Sequence, residues 1–145
     1  NYKWDYDVTA IGEKVHGNAI TAALGIVGLR YLDSDNEYRN YLSSIYDIHL
    51  KSSITKIEHM KGTSRHLYQI SIEDRENMIN TLAKEEIFTG VHYKSNLEYQ
   101  MFENCHLPVT EEYHLKILSL PLNLHIGEED ILHICKRVNE IDSKS

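Results

Sequence analysis

The sequence predicts an α/β chain, more narrowly an α+β small domain in which a small sheet is covered by helices. Residues 66–72 alternate and are rich in β-forming side chains, and residues 88–93 and 118–122 give two further short extended segments. Stretches with helical periodicity separate these segments. Alternation of this kind implies a layer of sheet packed against a layer of helices.

The first predicted helix covers residues 18–32 and is apolar on nearly every side. A helix of this composition must be buried over most of its surface. Because it lies at one end of a short chain, we expect the surface that buries it to lie in protein outside this chain.

A second helix is predicted to begin at Ser34, where Ser34 and Glu37 form a capping-box pattern. Its apolar residues fall on one continuous stripe, which is the strongest amphipathic pattern in the chain. The stripe consists of Tyr38, Tyr41, Leu42, Ile45, Tyr46 and Leu50. We expect its tyrosines to pack in the core.

Three more helices are predicted towards the end of the chain. Asp74 can cap the first of them, with Met78, Ile79 and Leu82 facing inward. Pro108 begins a turn that leads into a short helix at residues 111–117. Residues 127–141 form the last helix, which is expected to bury Ile131, Leu132, Cys135 and Val138.

Composition and charge exclude several classes of function. The formal charge of −7 and the isoelectric point near 5.7 exclude a broad basic surface for nucleic acid or an anionic membrane. The sequence contains no run of eighteen apolar residues, so it predicts no membrane-spanning helix. We expect Cys105 and Cys135 to be reduced thiols in a cytoplasmic protein.

The standard catalytic motifs are absent from the sequence. It contains no phosphate-binding loop, dinucleotide-binding glycine turn, nucleophile elbow or His-Glu-x-x-His helix. The nine histidines are scattered without the paired spacing of metal ligands, so no metal site is predicted.

Four segments stand in a fixed order along the chain. They are residues 11–25 (IGEKVHGNAITAALG), residues 29–33 (LRYLD), residues 89–93 (TGVHY), and the pair 107–112 (LPVTEE) and 117–122 (ILSLPL). Together they resemble the DegT/DnrJ/EryC1/StrS aminotransferases. The similarity is to that family's polar loop before an Ala-Ala-x-Gly helix, its Gly-x-His-Tyr signature and its closing Leu-Ser-Leu-Pro segment.

The resemblance implies the C-terminal portion of a fold-type-I, homodimeric enzyme that uses pyridoxal 5'-phosphate (PLP). It implies transfer of an amino group, from glutamate, to a keto group of a nucleotide-linked sugar. In this family a lysine upstream of the Ala-rich helix binds PLP as a Schiff base, within a serine-rich stretch followed by Gly-Glu-Gly-Gly. That stretch is absent here, so we expect no catalytic residue in this chain and no transamination by it alone.

The resemblance also divides the chain into two parts. Residues 1–33 would be the end of the large domain or an interdomain segment, with the buried helix. Residues 34–145 would be the C-terminal small domain, similar to that of a fold-type-I PLP aminotransferase.

The resemblance assigns binding roles to the loop before the first helix. In the family this loop reaches towards the PLP phosphate of the neighbouring subunit, which implies cofactor binding by Lys14 and Asn18 and substrate binding by His16. Cations and amides near a helix N-terminus suit a dianion. Lys14 replaces the family's usual Asn and His16 its usual Arg. Without the resemblance, these residues form an ordinary polar helix start.

The resemblance assigns substrate binding to His92 and Tyr93. These residues end an extended segment and begin a loop, where functional groups are common. Without the resemblance, the pair is a packed strand end.

Two alternatives to the aminotransferase stay open. One is a non-catalytic interaction or regulatory module that retains only the small domain, and the other is a PLP-dependent sugar dehydratase relative. A free-standing module is not expected to carry a helix that is apolar on every face unless it oligomerises. The sugar, the position of amination and the choice among UDP, GDP and TDP also stay open.

Overall fold

The computed structural model describes residues 10, 12–13, 15, 17–102 and 106–143. The helices in this part of the chain are α1 (Ala19–Leu29), α2 (Leu32–His49), α3 (Arg75–Ala83), α4 (Pro108–Tyr113) and α5 (Glu128–Asp142). The strands are β1 (Thr55–Lys56), β2 (Tyr68–Ser71) and β3 (Ile117–Leu120). Short 3-10 turns cover Asn96–Glu98 and Gln100–Phe102.

The three strands form one antiparallel sheet in the order β1-β2-β3. Gln69 pairs with Ser119 at the centre of β2 and β3. The residues on either side of this pair are buried in the core, namely Tyr68, Ile70, Leu118 and Leu120. Because side chains alternate along a strand, Gln69 and Ser119 point to the opposite face of the sheet.

Helices α2, α3 and α5 complete the core against this sheet. Tyr46 of α2 stacks on Tyr68 of β2, with ring centroids 4.5 Å apart, and its hydroxyl donates to the carbonyl oxygen of Pro121 at 2.8 Å. The predicted stripe of α2 is confirmed at Leu42, Ile45, Tyr46 and Leu50, which are buried. The expectation that its tyrosines pack in the core is wrong for Tyr41, which is 47% exposed and donates a hydrogen bond to Glu128, while Tyr38 is partly buried. The predicted α/β class, with a small sheet covered by helices, is also confirmed.

The predicted start of α2 is wrong. The helix begins at Leu32, within one turn of the end of α1, so that Ser34 already lies in its first turn. The Ser34 hydroxyl donates to the carbonyl oxygen of Tyr31 at 2.9 Å and caps no backbone N–H. A carboxylate that does bond back to a helix start occurs at α5, where Asp130 accepts from the Gly127 N–H at 2.8 Å.

The remaining predicted helices are found, with one shift. Asp74 caps α3 by accepting from the Asn77 N–H at 3.1 Å, and Met78 and Leu82 are buried as predicted. Helix α4 begins at Pro108 itself, earlier than predicted, because proline is well tolerated in the first helical turn. Helix α5 buries Ile131, Ile134, Cys135, Val138 and Ile141, while Leu132 is only partly buried.

The strand predicted at residues 88–93 is not a strand. Only Gly90 pairs, exchanging backbone hydrogen bonds of 2.9 and 2.8 Å with Ser119. After Gly90 the segment does not pair with β3. At His92 the side chain folds back over Gly90, and the backbone carbonyl oxygen accepts from the Gln69 side chain. Strand β1 was not predicted, since two residues are too few to show an alternating pattern.

Helix α1 forms as predicted, but none of its residues is buried by the described part of this chain. Ile20 and Leu24, for example, are 75% and 68% exposed. The prediction that this helix is buried therefore requires a surface outside the described part of this chain, and it stays a prediction.

Candidate functional site

The loop before α1 is the first predicted site. Lys14 and His16 lie outside the described residues. Asn18 is the N-cap of α1, and its side-chain oxygen accepts from the Thr21 N–H at 2.9 Å and from the Thr21 hydroxyl at 3.2 Å. Because the oxygen is used for capping, the amide nitrogen of this exposed side chain is the group that can donate to a ligand.

His92 is the centre of the second predicted site, and it lies over the sheet face opposite the core. Its Nδ1 is 3.0 Å from the Ser119 hydroxyl, and its carbonyl oxygen accepts from Gln69 Nε2 at 3.4 Å. Its ring rests on Gly90, where a Cβ atom would come within 2.3 Å of the His92 Cε1 atom. The structure therefore holds His92 through both its ring and its backbone.

Tyr93 follows His92 across a cis peptide bond and is 73% exposed. Its ring meets the His92 ring edge-on, with centroids 5.2 Å apart and an interplanar angle of 88°. The structure thus brings together the two predicted residues of this loop, and Tyr93 is the more accessible of them.

A cavity of about 220 Å³ adjoins His92. It is lined by His66, Phe88, Thr89, His92 and Ser119, together with apolar side chains that include Leu122. The hydroxyl of Thr89 is buried and has no hydrogen-bond partner among the described residues. A buried hydroxyl without a partner is costly, so a ligand group that bonds to it would be favoured here.

The electrostatics of this cavity favour a neutral imidazole. Burial, and secondly the charge of the neighbouring His66, lower the pKa of His92. At neutral pH His92 is therefore mostly uncharged, and its ring can both donate and accept a hydrogen bond. Such a ring suits hydroxyl and carbonyl groups of a ligand.

A larger cavity of about 590 Å³ lies between the C-terminal ends of α2 and α5. Its polar groups bond to one another: Lys51 Nζ donates to the Asn139 carbonyl oxygen at 3.1 Å, and Asn139 Nδ2 donates to the His49 carbonyl oxygen at 2.9 Å. Burial raises the pKa of the Cys135 thiol in its wall to about 12, which leaves this group protonated and unreactive. The polar groups of this cavity are used to hold two helix ends together. We therefore favour the cavity at His92 as the candidate functional site.

Four residues around His92 were not predicted, namely His66, Gln69, Thr89 and Ser119. The alternating strand patterns could have placed Gln69 and Ser119 on the outer face of the sheet. The register that makes them neighbours cannot be read from either strand alone, because it depends on how the two strands pair. His66 begins the alternating segment 66–72 and Thr89 begins the segment 89–93, but neither pattern marks these two residues as part of a site. Their proximity depends on how the 88–93 segment lies against β3.

Within residues 10, 12–13, 15, 17–102 and 106–143, no three His, Cys, Asp or Glu side chains are grouped so as to hold a metal ion. None of the described helices is long and apolar enough to cross a membrane.

The structure is an α/β fold with a small three-stranded sheet, and the polar groups of the candidate site lie on a loop outside this sheet. The chain belongs to the DegT/DnrJ/EryC1/StrS aminotransferase family, whose model matches residues 1–139. This match includes all four segments that predicted the family.

Known proteins similar to this chain include two curated transaminases. One is the dTDP-3-amino-3,6-dideoxy-alpha-D-galactopyranose transaminase of Aneurinibacillus thermoaerophilus, 26% identical over 127 residues that cover 83% of this chain and 35% of the relative. The other is the UDP-4-amino-4,6-dideoxy-N-acetyl-beta-L-altrosamine transaminase of Campylobacter jejuni, 28% identical over 140 residues that cover 88% of this chain and 37% of the relative. The chain therefore spans little more than a third of the length of these relatives.

Among solved structures, the chain is similar to the Streptococcus pneumoniae protein Spr1654 in its PLP form. The TM-score is 0.75 at 28% identity, and the match covers 98% of this chain and 40% of the other. The likeness thus extends over nearly all of this chain and less than half of the neighbour.

Proposed function

We propose that this chain is the C-terminal part of a PLP-dependent aminotransferase that moves an amino group from glutamate to a keto group of a nucleotide-linked sugar. The observation that carries this proposal is the family match over residues 1–139. The two relatives above are by name transaminases of a dTDP-sugar and a UDP-sugar, which supports a nucleotide-sugar substrate. We further propose that the enzyme is a cytoplasmic homodimer.

In this proposal residues 1–33 belong to the large domain or the interdomain segment, and residues 34–145 form the small domain. The small domain supplies one wall of the substrate pocket. His92 bonds to a hydroxyl or carbonyl group of the sugar nucleotide, and the exposed ring of Tyr93 offers an apolar surface beside it. His16 is proposed as a further substrate contact.

The residues before α1 fit the phosphate of PLP. Asn18 has its amide nitrogen to donate, and it stands at the start of an eleven-residue helix, where N–H groups and the helix dipole favour an anion. Lys14 would add a positive charge. When bound, PLP supplies the electron sink for the reaction, and this chain contributes binding and orientation.

We propose that no lysine of this chain forms the Schiff base with PLP. All lysines in the described part keep some of their surface exposed. An activated amine needs a desolvated or strongly charged environment that lowers its pKa. For Lys116 the pKa is instead raised, because its ammonium group donates to Glu73 at 2.8 Å.

The test uses the full polypeptide that contains this chain, purified with PLP. It is incubated with 2-oxoglutarate and with dTDP-3-amino-3,6-dideoxygalactose or UDP-4-amino-4,6-dideoxy-N-acetylaltrosamine, and glutamate and the keto sugar are measured by mass spectrometry. The expected result is formation of both products in equal amounts. The opposite reaction starts from glutamate and a keto sugar nucleotide. There, a sugar product that has lost water and gained no nitrogen would show that the enzyme is a dehydratase. Turnover by neither route across UDP-, GDP- and dTDP-sugars would support a non-catalytic module.

A further inference from the structure

Three residues from neighbouring segments of the sheet lie side by side beneath His92. Gln69 of β2 pairs with Ser119 of β3, and Ser119 exchanges two backbone hydrogen bonds with Gly90 on its other side. Directly paired residues of an antiparallel ladder present their side chains on the same face. Gln69, Ser119 and the bare Cα of Gly90 therefore form one row across the outer face of the sheet.

Each member of this row meets a different part of His92. Gln69 Nε2 donates to the His92 carbonyl oxygen at 3.4 Å, and the Ser119 hydroxyl lies 3.0 Å from Nδ1. Gly90 lets the ring approach the backbone, since a Cβ atom there would lie 2.3 Å from Cε1 and 3.0 Å from Nδ1. Ser119 is only 3% exposed, so its hydroxyl is committed to this contact under the ring.

We propose that Ser119 is the positioning residue for His92, and that Gln69, Ser119 and Gly90 together form a seat that fixes the orientation of its ring. The inference rests on the proposed function, in which His92 contacts the sugar nucleotide. A ring held at Nδ1 presents its other edge in one direction. Because the Ser119 hydroxyl can either donate to Nδ1 or accept from it, the contact sets the orientation of the ring and leaves its tautomer open.

The seat acts on binding through geometry. Rotation of the His92 ring about its χ2 angle would exchange Nδ1 for a carbon and break the Ser119 contact. A single hydrogen bond of this kind is worth about two- to tenfold in an equilibrium constant. Loss of the Ser119 hydroxyl therefore acts mainly on substrate binding, through a ring that adopts more than one orientation.

A spectroscopic test uses the 145-residue chain with 15N-labelled histidine. The signals of His92 are assigned by their absence in His92→Asn. In the unmodified chain the Nδ1 signal of His92 should show the shift of a ring nitrogen that is hydrogen-bonded within the protein, and in Ser119→Ala it should move towards the shift of a ring nitrogen that is bonded only to water. Ser71→Ala is the matched control, because Ser71 lies on the same face of β2 and has no contact with His92 among those described. Unchanged ring shifts in Ser119→Ala would overturn the proposal.

Gly90→Ala is a second route to the same readout, in case Ser119→Ala does not fold. The added methyl group must displace the ring from the row. The His92 shifts should then change as they do without the hydroxyl, and unchanged shifts count against the seat.

A kinetic test uses the full polypeptide with PLP. Ser119→Ala should raise the KM for the sugar nucleotide about two- to tenfold, with a smaller effect on kcat, and should have no effect once His92 is Asn. An equal effect of Ser119→Ala in both backgrounds would overturn the positioning role. If the ring shifts respond but no sugar nucleotide is turned over, the proposed function fails while the fixation of the ring stands.

Discussion

Helix α1 and the core between the sheet and helices α2, α3 and α5 both consist of apolar residues, but the described part of the chain buries only the core. In the core, Leu42, Leu118 and Ile131 are 0% exposed, and a continuous set of buried residues joins the sheet to three helices. In α1, Ile20 and Leu24 remain mostly exposed, and the residues that the structure describes bury no part of this helix. Hydrophobic content alone therefore does not decide burial.

The difference lies in the pattern of the apolar residues. Helices α2 and α5 carry one apolar stripe each, and a single sheet face is enough to bury them. Helix α1 is apolar on all sides and would need contacts around its whole circumference. This comparison supports the proposal that α1 belongs with a larger domain, and four experiments can sharpen or break it.

The largest difference should appear in amide hydrogen exchange. In the 145-residue chain, the amides of α1 should exchange on the order of a thousandfold or more faster than those of Ile131 and Val138 in α5. An uncovered helix of this length is marginal in water, whereas core helices open only with global unfolding. Exchange followed by NMR or mass spectrometry measures both helices in one sample.

Two outcomes of this exchange experiment separate the interpretations. In the full polypeptide, the amides of α1 should become slow, because the proposed large domain covers them. Strong protection of α1 in the dilute, monomeric 145-residue chain would contradict the comparison between the two regions.

The next effect is on the free energy of unfolding. Leu118→Ala should lower it by about 2–5 kcal/mol, since a buried leucine leaves a cavity in a closed core. Leu24→Ala is the matched control and should change it by less than about 0.5 kcal/mol, because Leu24 is largely exposed and alanine is a good helix former. Urea unfolding of the 145-residue chain measures both. Similar losses for the two variants would show that α1 is part of the same folding unit.

Sequence patterns located most of the elements that face the core. The stripe of α2, the cap at Asp74 and the alternation around β2 each depend on local spacing, which the sequence displays directly. The start of α2 was misplaced because a capping-box pattern at Ser34 also fits the first turn of a helix that begins at Leu32. Local signals of this kind fix the type of an element better than its boundary.

The candidate site was predicted only in part. The motif at residues 89–93 identified His92 and Tyr93, but not the row of Gln69, Ser119 and Gly90 that holds the ring. This row depends on strand register and on a single bridged residue, and both are set by contacts between segments distant in the chain. The buried Thr89 hydroxyl, for which the described residues offer no hydrogen-bond partner, likewise becomes apparent only in three dimensions.

A smaller effect concerns the start of α1. Asn18→Ala should remove the cap and cost the helix about 0.5–2 kcal/mol, whereas Asn18→Asp keeps a capping oxygen. If Asn18 and Lys14 also hold the PLP phosphate, Asn18→Asp and Lys14→Ala should both weaken PLP retention in the full polypeptide. The measure is the dissociation constant of PLP. Unchanged PLP affinity in Asn18→Asp would leave Asn18 as a cap only.

The smallest effect is the pH dependence of stability within the small domain. Burial lowers the pKa of His92, with a further contribution from His66, and burial also lowers the pKa of His59, helped by Arg65 and opposed by Asp47. The unfolded chain binds these protons more readily than the folded chain, so protonation of the two residues favours unfolding. Above the unfolded pKa of about 6.5 they do not lower the free energy of unfolding, and they lower it as the pH falls below that value.

Unfolding by urea at pH 7 and pH 5 measures this dependence. His92→Asn and His59→Asn should each make the free energy of unfolding less dependent on pH across this interval. The double variant should show the smallest dependence on pH. Asp47 provides an internal contrast. Although its burial acts in the opposite direction, hydrogen bonds from Arg65 and Tyr68 lower its pKa, so its contribution is lost only at pH values near and below about 4. A pH dependence between 7 and 5 that survives in the double variant would place the titrating group elsewhere, outside the surroundings of His92 and His59.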